Sequence, residues 1–193
     1  MRYVSVVIAF ILMVVAAVFG VKLISKQLKS FNETTAVTSQ LAYSEYQKTG
    51  TKLRYSIVGP VVADENHREL AFEIGQGSRA VKLYKGYSST LLKEQLLANN
   101  YNAYEAFAKS LFASGFTDAR ESQKDSKYLG NCPNGNLYTA ELIDADGKTV
   151  KSLWKTSCST KNGNLSASYQ PILELFKNQF PDYKTFSSDI AID

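Results

Sequence analysis

The single histidine of the chain, His67, sits in the run Ala63-Asp64-Glu65-Asn66-His67-Arg68-Glu69-Leu70, with three carboxylates within three residues of its imidazole. A carboxylate that orients an imidazole can tune it for proton transfer near neutral pH, so the run could act as an acid/base cluster. It could also form part of a cation site, although a calcium loop needs more oxygen ligands at tighter spacing and usually a glycine. The alternative is a solvated connection between two strands, and the polarity of the run favours it. Asp144-Ala145-Asp146-Gly147 also has the residue types of a calcium loop and reads better as a turn.

Two cysteines are present, Cys132 and Cys158. With one distant histidine they cannot supply a four-ligand metal site of usual spacing. The sequence between them runs Asn-Leu-Tyr-Thr-Ala-Glu-Leu-Ile, then Asp-Ala-Asp-Gly, then Lys-Thr-Val-Lys-Ser-Leu-Trp-Lys-Thr, which is two strand-like segments around an Asp-Gly turn. If three or four residues form the loop, the numbers of opposed residues sum to about 290 to 292. Cys132 and Cys158 then fall nearly opposite each other at the open end of the hairpin, where Cα atoms about 4.5–5.5 Å apart suit a disulfide. The other reading is two unrelated buried thiols.

No G-x-S-x-G, Walker A, G-x-G-x-x-G or H-E-x-x-H pattern occurs. A Ser–Lys dyad leaves no linear signature and stays open. The expectation is a chain that is not an enzyme and needs no cofactor or metal. Eleven of the twelve tyrosines follow residue 31, and Tyr84, Tyr87, Tyr101 and Tyr128 fall at expected strand exteriors or loops. Exposed tyrosine gives contact area at low entropic cost and suits a protein or glycan partner. Ordinary tyrosine usage in β-rich exported domains is the competing explanation.

The elements that must position these residues can be read from hydrophobic period. Leu53, Tyr55 and Ile57 alternate with Arg54 and Ser56; Leu70, Phe72 and Ile74 alternate with Ala71 and Glu73. Val81 and Leu83 point inward, with Lys82 and Tyr84 outward, so three half-buried antiparallel strands are expected. Residues 89–98 suit either a helix or a fourth strand, the strand being preferred. A helix follows, with Asn102 as cap, Tyr104, Phe107, Leu111 and Phe112 on one face and Gly115 at the stop. After the cysteine hairpin, Pro171 can open a second helix striped by Ile172, Leu175 and Phe176, and Pro181 ends it. The sum is an α+β domain, with an antiparallel sheet of five to six strands covered by two helices.

Ahead of it, Val4 to Val21 form eighteen residues with Ser5 as the only polar member, about 27 Å of helix and close to the hydrocarbon thickness. A cleaved export signal would be shorter and end at a small-x-small site. A buried core helix is rarely apolar all round. Val21, Ile24, Leu28 and Phe31 continue the helical period while Lys22, Lys26 and Lys29 take the other side, suited to lipid headgroups. Retention as an N-terminal transmembrane helix is the preferred reading. The expected organisation is an anchor over 1–31, a polar tether over 32–51, a domain over 52–185 and a tail over 186–193.

Residues 32–193 carry 18 basic and 18 acidic side chains, so the net charge of +4 belongs to the anchor and no footprint for nucleic acid remains. One Arg before the apolar run against three Lys after it would place the body in the cytoplasm. The cysteine pair and a body rich in Tyr, Ser, Thr and Asn favour export instead. The expected location is therefore the cell membrane, single-pass, with the body outside the cytoplasm and lipid contacting residues 1–31.

With Gly-Pro-Val-Val-Ala-Asp-Glu-Asn-His-Arg-Glu-Leu after the first strand and the cysteine hairpin late, the layout resembles uncharacterised membrane-anchored proteins of small-genome bacteria. That resemblance implies no activity. The layout is also similar to type IV pilins, which implies an apolar N-terminal helix, a sheet and a disulfide loop near the C-terminus. No Gly precedes the apolar run and no Glu lies within it, so pilin-type processing and assembly do not follow. The function expected is a non-catalytic, membrane-anchored module that binds a protein or envelope polymer. A pilin-like subunit or an envelope hydrolase are the alternatives.

Overall fold

The computed structural model describes residues 46–122, 127, 129–159 and 162–188. All lie within one compact unit, Ala42–Asp193. The anchor, its lysines Lys22, Lys26 and Lys29, and Tyr128 lie outside the described residues. No helix among the described residues is long and apolar enough to cross a membrane.

The fold is α+β. Six strands, β1 (Lys52–Val58), β2 (Arg68–Gly75), β3 (Ser78–Lys85), β4 (Thr90–Ala98), β5 (Leu137–Ile143) and β6 (Thr149–Thr156), form one open antiparallel sheet in the order β4-β3-β2-β1-β5-β6. Helices α1 (Tyr101–Ala113) and α2 (Tyr169–Lys177) and the single turn α3 (Tyr183–Phe186) complete it. Residues 90–98 are thus a strand, and the register of β4 slips between Leu83 and Tyr84 of its neighbour. The leucines that could have served a helix are left outside: Leu91, Leu92 and Leu96 are exposed along this edge.

Period-two alternation sends Leu53, Tyr55, Ile57, Leu70, Phe72, Ile74, Val81 and Leu83 to the helix-covered face. Tyr104, Phe107 and Leu111 of α1 and Ile172 and Phe176 of α2 meet them there. Phe176 is the hub, its ring 5.4 Å from Tyr55, 5.8 Å from Phe72 and 5.1 Å from Phe107. Tyr46, in the polar stretch before β1, is also buried in this core, its ring edge-on to Phe112 at 4.1 Å.

The cap of α1 is Asn100, not Asn102: the Asn100 side chain accepts a hydrogen bond from the Ala103 backbone N–H at 3.0 Å, and Asn102 lies one residue inside the helix. Two asparagines two residues apart are equally good caps by type, and the end of β4 decides between them. At the other end Gly115 adopts φ +81 and stops the helix. Helix α2 begins before Pro171, at Tyr169, with Pro171 in its first turn.

Cys132 and Cys158 form a disulfide with Cα atoms 5.6 Å apart. The reason differs from simple cross-strand pairing. The hairpin pairs Leu137 with Thr156 and Thr139 with Trp154, a register one to three residues beyond the expected range that puts Gly135 nearer to the position opposite Cys158. Cys132 instead belongs to a turn, with the Gly135 N–H donating to the Cys132 carbonyl at 3.2 Å, which curls the chain back over the strand end. Gly135 fits because it has no side chain: a Cβ there would lie 2.6 Å from the Cys132 sulfur. The longer loop, residues 144–148, is held by Asp144, whose side chain accepts from the Asp146 and Lys148 N–H groups at 3.0 and 2.8 Å.

Candidate functional site

The face of the sheet away from the helices is not a flat solvated surface. Its central positions are small, Ser56, Ala71 and Thr139, while longer side chains rise around them, and the result is a trough of about 440 Å³. Cross-strand register builds it in rows. One row reads Ala80, Glu73, Arg54, Glu141, Ser152 from β3 to β6; the next reads Glu94, Lys82, Ala71, Ser56, Thr139, Trp154; the third reads Leu91, Tyr84, Glu69, Val58, Leu137, Thr156. Where Trp154, Leu137 and Val58 meet, Leu129 from a 3₁₀ turn (Leu129–Asn131) packs down and makes a second, smaller apolar cluster on this face.

Charges of alternating sign link the strands. Glu94 meets Lys82 at 3.7 Å, Lys82 meets Glu73 at 3.7 Å, and Glu73 accepts from Arg54 at 2.6 and 3.0 Å. Arg54 also reaches Glu141 at 3.7 Å, and Glu141 accepts from Lys127 at 3.2 Å and from Ser152 at 3.0 Å. Single surface pairs contribute little, but a connected set held by five strands fixes side-chain positions. Burial tends to raise the Glu73 carboxyl, yet the hydrogen bond and charge of Arg54, with Lys82, outweigh it and hold its pKa below the ordinary value.

Glu69 stands apart from this ladder. It forms no ion pair among the described residues, and its one side-chain hydrogen bond is a long one, 3.5 Å, from the Ser89 hydroxyl. Tyr84 and Val58 flank it on the neighbouring strands. Burial pushes its pKa up, against weaker lowering influences from Ser89, His67 and Arg54 and with Glu141 adding to the rise. Ser89 itself has φ +53, the one non-glycine residue in the left-handed region among the described residues. Strain of this kind often sits at binding surfaces.

A carboxyl with a raised pKa costs the folded state stability at any pH where it must ionise. We expect Glu69→Gln to raise the melting temperature at neutral pH. The gain should fade as pH falls through the Glu69 folded-state pKa and vanish below its unfolded value, where both states are protonated. Thermal melts across pH check this; a Gln variant less stable than the parent at pH 7 would contradict it.

The run before His67 is the expected solvated connection, with residues 61–66 exposed between β1 and β2, but His67 itself is not part of that exposed surface. His67 is 4% exposed. Its ring stacks on Tyr87 at 4.1 Å, and its Nδ1–H donates to the Pro60 carbonyl at 3.2 Å. The Tyr87 hydroxyl donates to the Val62 carbonyl at 2.8 Å and accepts from the Val62 N–H at 3.2 Å, while the Tyr87 N–H donates to Asp64 at 2.8 Å. Histidine and tyrosine thus clamp the β1–β2 loop to the β3–β4 turn. His67→Ala should lower stability by about 1–3 kcal/mol, since a buried ring and its hydrogen bond are lost, and Tyr87→Phe by about 1 kcal/mol or less, since its hydroxyl bonds to Val62 are exposed. Denaturant unfolding of the two variants tests this, and an unchanged midpoint for both would remove the clamp.

Of the four tyrosines expected at the surface, Tyr128 lies outside the described residues and the other three are spread over the domain. Tyr84 lines the trough, and Tyr87 lies on the His67 clamp, the residue as a whole 53% exposed. Tyr101 is exposed at the start of α1, at the far end of β4 from that turn. Sequence reading missed Glu69, Glu141, Thr139 and Lys127 as a set. The available signal was the pair Ser56 and Ala71 at outward positions of central strands, where small residues leave a hollow. Among the described residues no three of His, Cys, Asp and Glu are grouped as a metal site. No protein-family model matches the chain, and no curated protein matches it.

Proposed function

We propose that this chain is a non-catalytic, single-pass membrane-anchored module whose body lies outside the cytoplasm and binds a protein or envelope polymer through the trough on the open face of its sheet. The observation that carries this reading is the trough itself: a hollow across four strands, β3, β2, β1 and β5, walled by side chains that the charge ladder already holds in place. Preorganised side chains lose little entropy on binding. The apolar run over 4–21, the lysines after it and the disulfide are what support membrane anchoring and export.

The two glutamates whose pKa values move in opposite directions, Glu69 up and Glu73 down, have the pattern of an acid and a base. They are four residues apart on one strand, about 13 Å at the backbone. Glu73 is held by Arg54 and Lys82, and this engagement favours binding over acid–base hydrolysis.

The test is to fill the hollow. Ala71→Tyr places a ring in the trough, and Tyr101→Ser changes an exposed aromatic outside it. Full-length protein of each kind, solubilised from the membrane, is used to capture partners from its own envelope extract. Ala71→Tyr is expected to weaken capture by at least about tenfold and Tyr101→Ser to leave it intact. Retention of the same partner by a folded Ala71→Tyr variant overturns the assignment of the trough.

A further inference from the structure

We propose that the Glu69–Tyr84 end of the trough is a subsite for a cationic side chain, the guanidinium of arginine or the ammonium of lysine, presented by a polypeptide partner. The inference rests on the trough being the recognition surface and adds what that surface recognises. Of the trough's described lining residues, Arg54 and Lys127 face three carboxylates, Glu69, Glu73 and Glu141. Arg54 is shared between Glu73 and Glu141, and Lys127 is spent on Glu141, so among the described residues the carboxylate left without an ion pair is Glu69.

Its surroundings are those of a cation pocket. Tyr84 lies directly across from it on β3 and Val58 on β1, and Leu137 is the next residue in the same row. The Tyr84 ring offers a π-face, and partial desolvation strengthens both the charge–charge and the cation–π attraction. A partner group bearing negative charge would be repelled by Glu69, with Arg54 and Lys127 already engaged by Glu73 and Glu141. The raised pKa of the carboxyl agrees with a site that lacks its counter-ion.

A polypeptide suits the rest of the trough better than a sugar polymer. Glycan platforms stack successive rings on aromatic faces, and Tyr84 is the single aromatic among the described lining residues. The floor instead offers the hydroxyls of Ser56 and Thr139, cross-strand neighbours, beside a ladder of alternating charge. Those groups can pair with backbone amides and with charged side chains on either side of an inserted arginine or lysine.

The probe is a short peptide alternating glycine and arginine, compared with its citrulline counterpart, which keeps the shape and loses the charge. Binding is measured by calorimetry on full-length solubilised protein, together with the Glu69→Gln, Tyr84→Leu and Ala71→Tyr variants and with a glucosamine oligomer as a second ligand. The parent should prefer the arginine peptide by about tenfold or more. Glu69→Gln should lose that preference while remaining folded, Tyr84→Leu should weaken arginine binding severalfold, and Ala71→Tyr should bind neither peptide. Equal arginine binding by the parent and Glu69→Gln overturns the subsite, as does Glu69-dependent binding of the glucosamine oligomer without the peptide. If capture of the envelope partner is blocked by Ala71→Tyr but unaffected by Glu69→Gln, the trough stands and the cation subsite fails. Capture unaffected by Ala71→Tyr removes the trough as the recognition surface and the subsite with it.

Discussion

Gly163→Ala is expected to cost on the order of 4 kcal/mol of folding stability, a large share of the total a domain of this size holds. Gly163 lies in the segment that runs beside the outer edge of β6. There it forms a bridge with Lys155, and the flanking Asn164 side chain and Leu165 N–H hold Trp154 from either side at 2.7 and 3.0 Å. The glycine backs directly onto the peptide between those strand residues. A Cβ at 163 would sit 2.2 Å from the Trp154 carbonyl oxygen and 2.6 Å from the Lys155 Cα, with φ at +117. Neither obstacle can move, because both are backbone of a paired strand. Any side chain must therefore push the segment off β6 and uncover Trp154. Urea unfolding followed by tryptophan fluorescence reads this directly, since Trp154 is the single tryptophan. A midpoint within error of the parent would show that the segment can shift without cost.

Cys132→Ser is expected to lower stability by about 3.5 kcal/mol, the chain-entropy value for a loop of this size, since 26 positions separate the two cysteines. The expected consequence goes further than stability. Cys132 is fully buried and follows immediately on the 3₁₀ turn whose Leu129 covers Trp154 and Leu137, and Lys127 walls the trough two residues earlier. Releasing the bond frees the chain that carries this wall. Partner capture should therefore weaken in the variant even at temperatures where it remains folded. Reduction of the parent protein should reproduce both effects. A reduced protein with an unchanged melting temperature and full capture would make the bond incidental.

Much of the architecture was legible because alternation reports directly which side of a strand meets the core. Leu53, Tyr55 and Ile57 need no tertiary information to face one way, since the strand period is two and water excludes them together. The Asp144–Gly147 turn and Gly115 were legible for a local reason as well: an aspartate that bonds its own backbone and a glycine tolerant of positive φ act within a few residues. The disulfide partners followed from there being two cysteines near one hairpin, although the geometry that joins them depends on a turn at Gly135 whose shape comes from contacts with the second strand.

What only tertiary structure decided is what happens on the outward side. Arg54, Glu73, Lys82, Glu94 and Glu141 come from five different strands, so their alternation of sign exists only once the order β4-β3-β2-β1-β5-β6 and its register are set. The same register left Glu69 between Tyr84 and Val58 without an ion pair among the described residues, a condition that no spacing along the chain expresses. His67 shows the limit most plainly. Its neighbours in sequence suggested a solvated connection, with an acid/base cluster as the alternative, while the residue that determines its environment, Tyr87, is twenty positions away and reaches it only because two adjacent hairpins close at the same end of the sheet. Local sequence determines which way a side chain faces, through short-range geometry and water; which charges and rings it meets there is settled by long-range pairing.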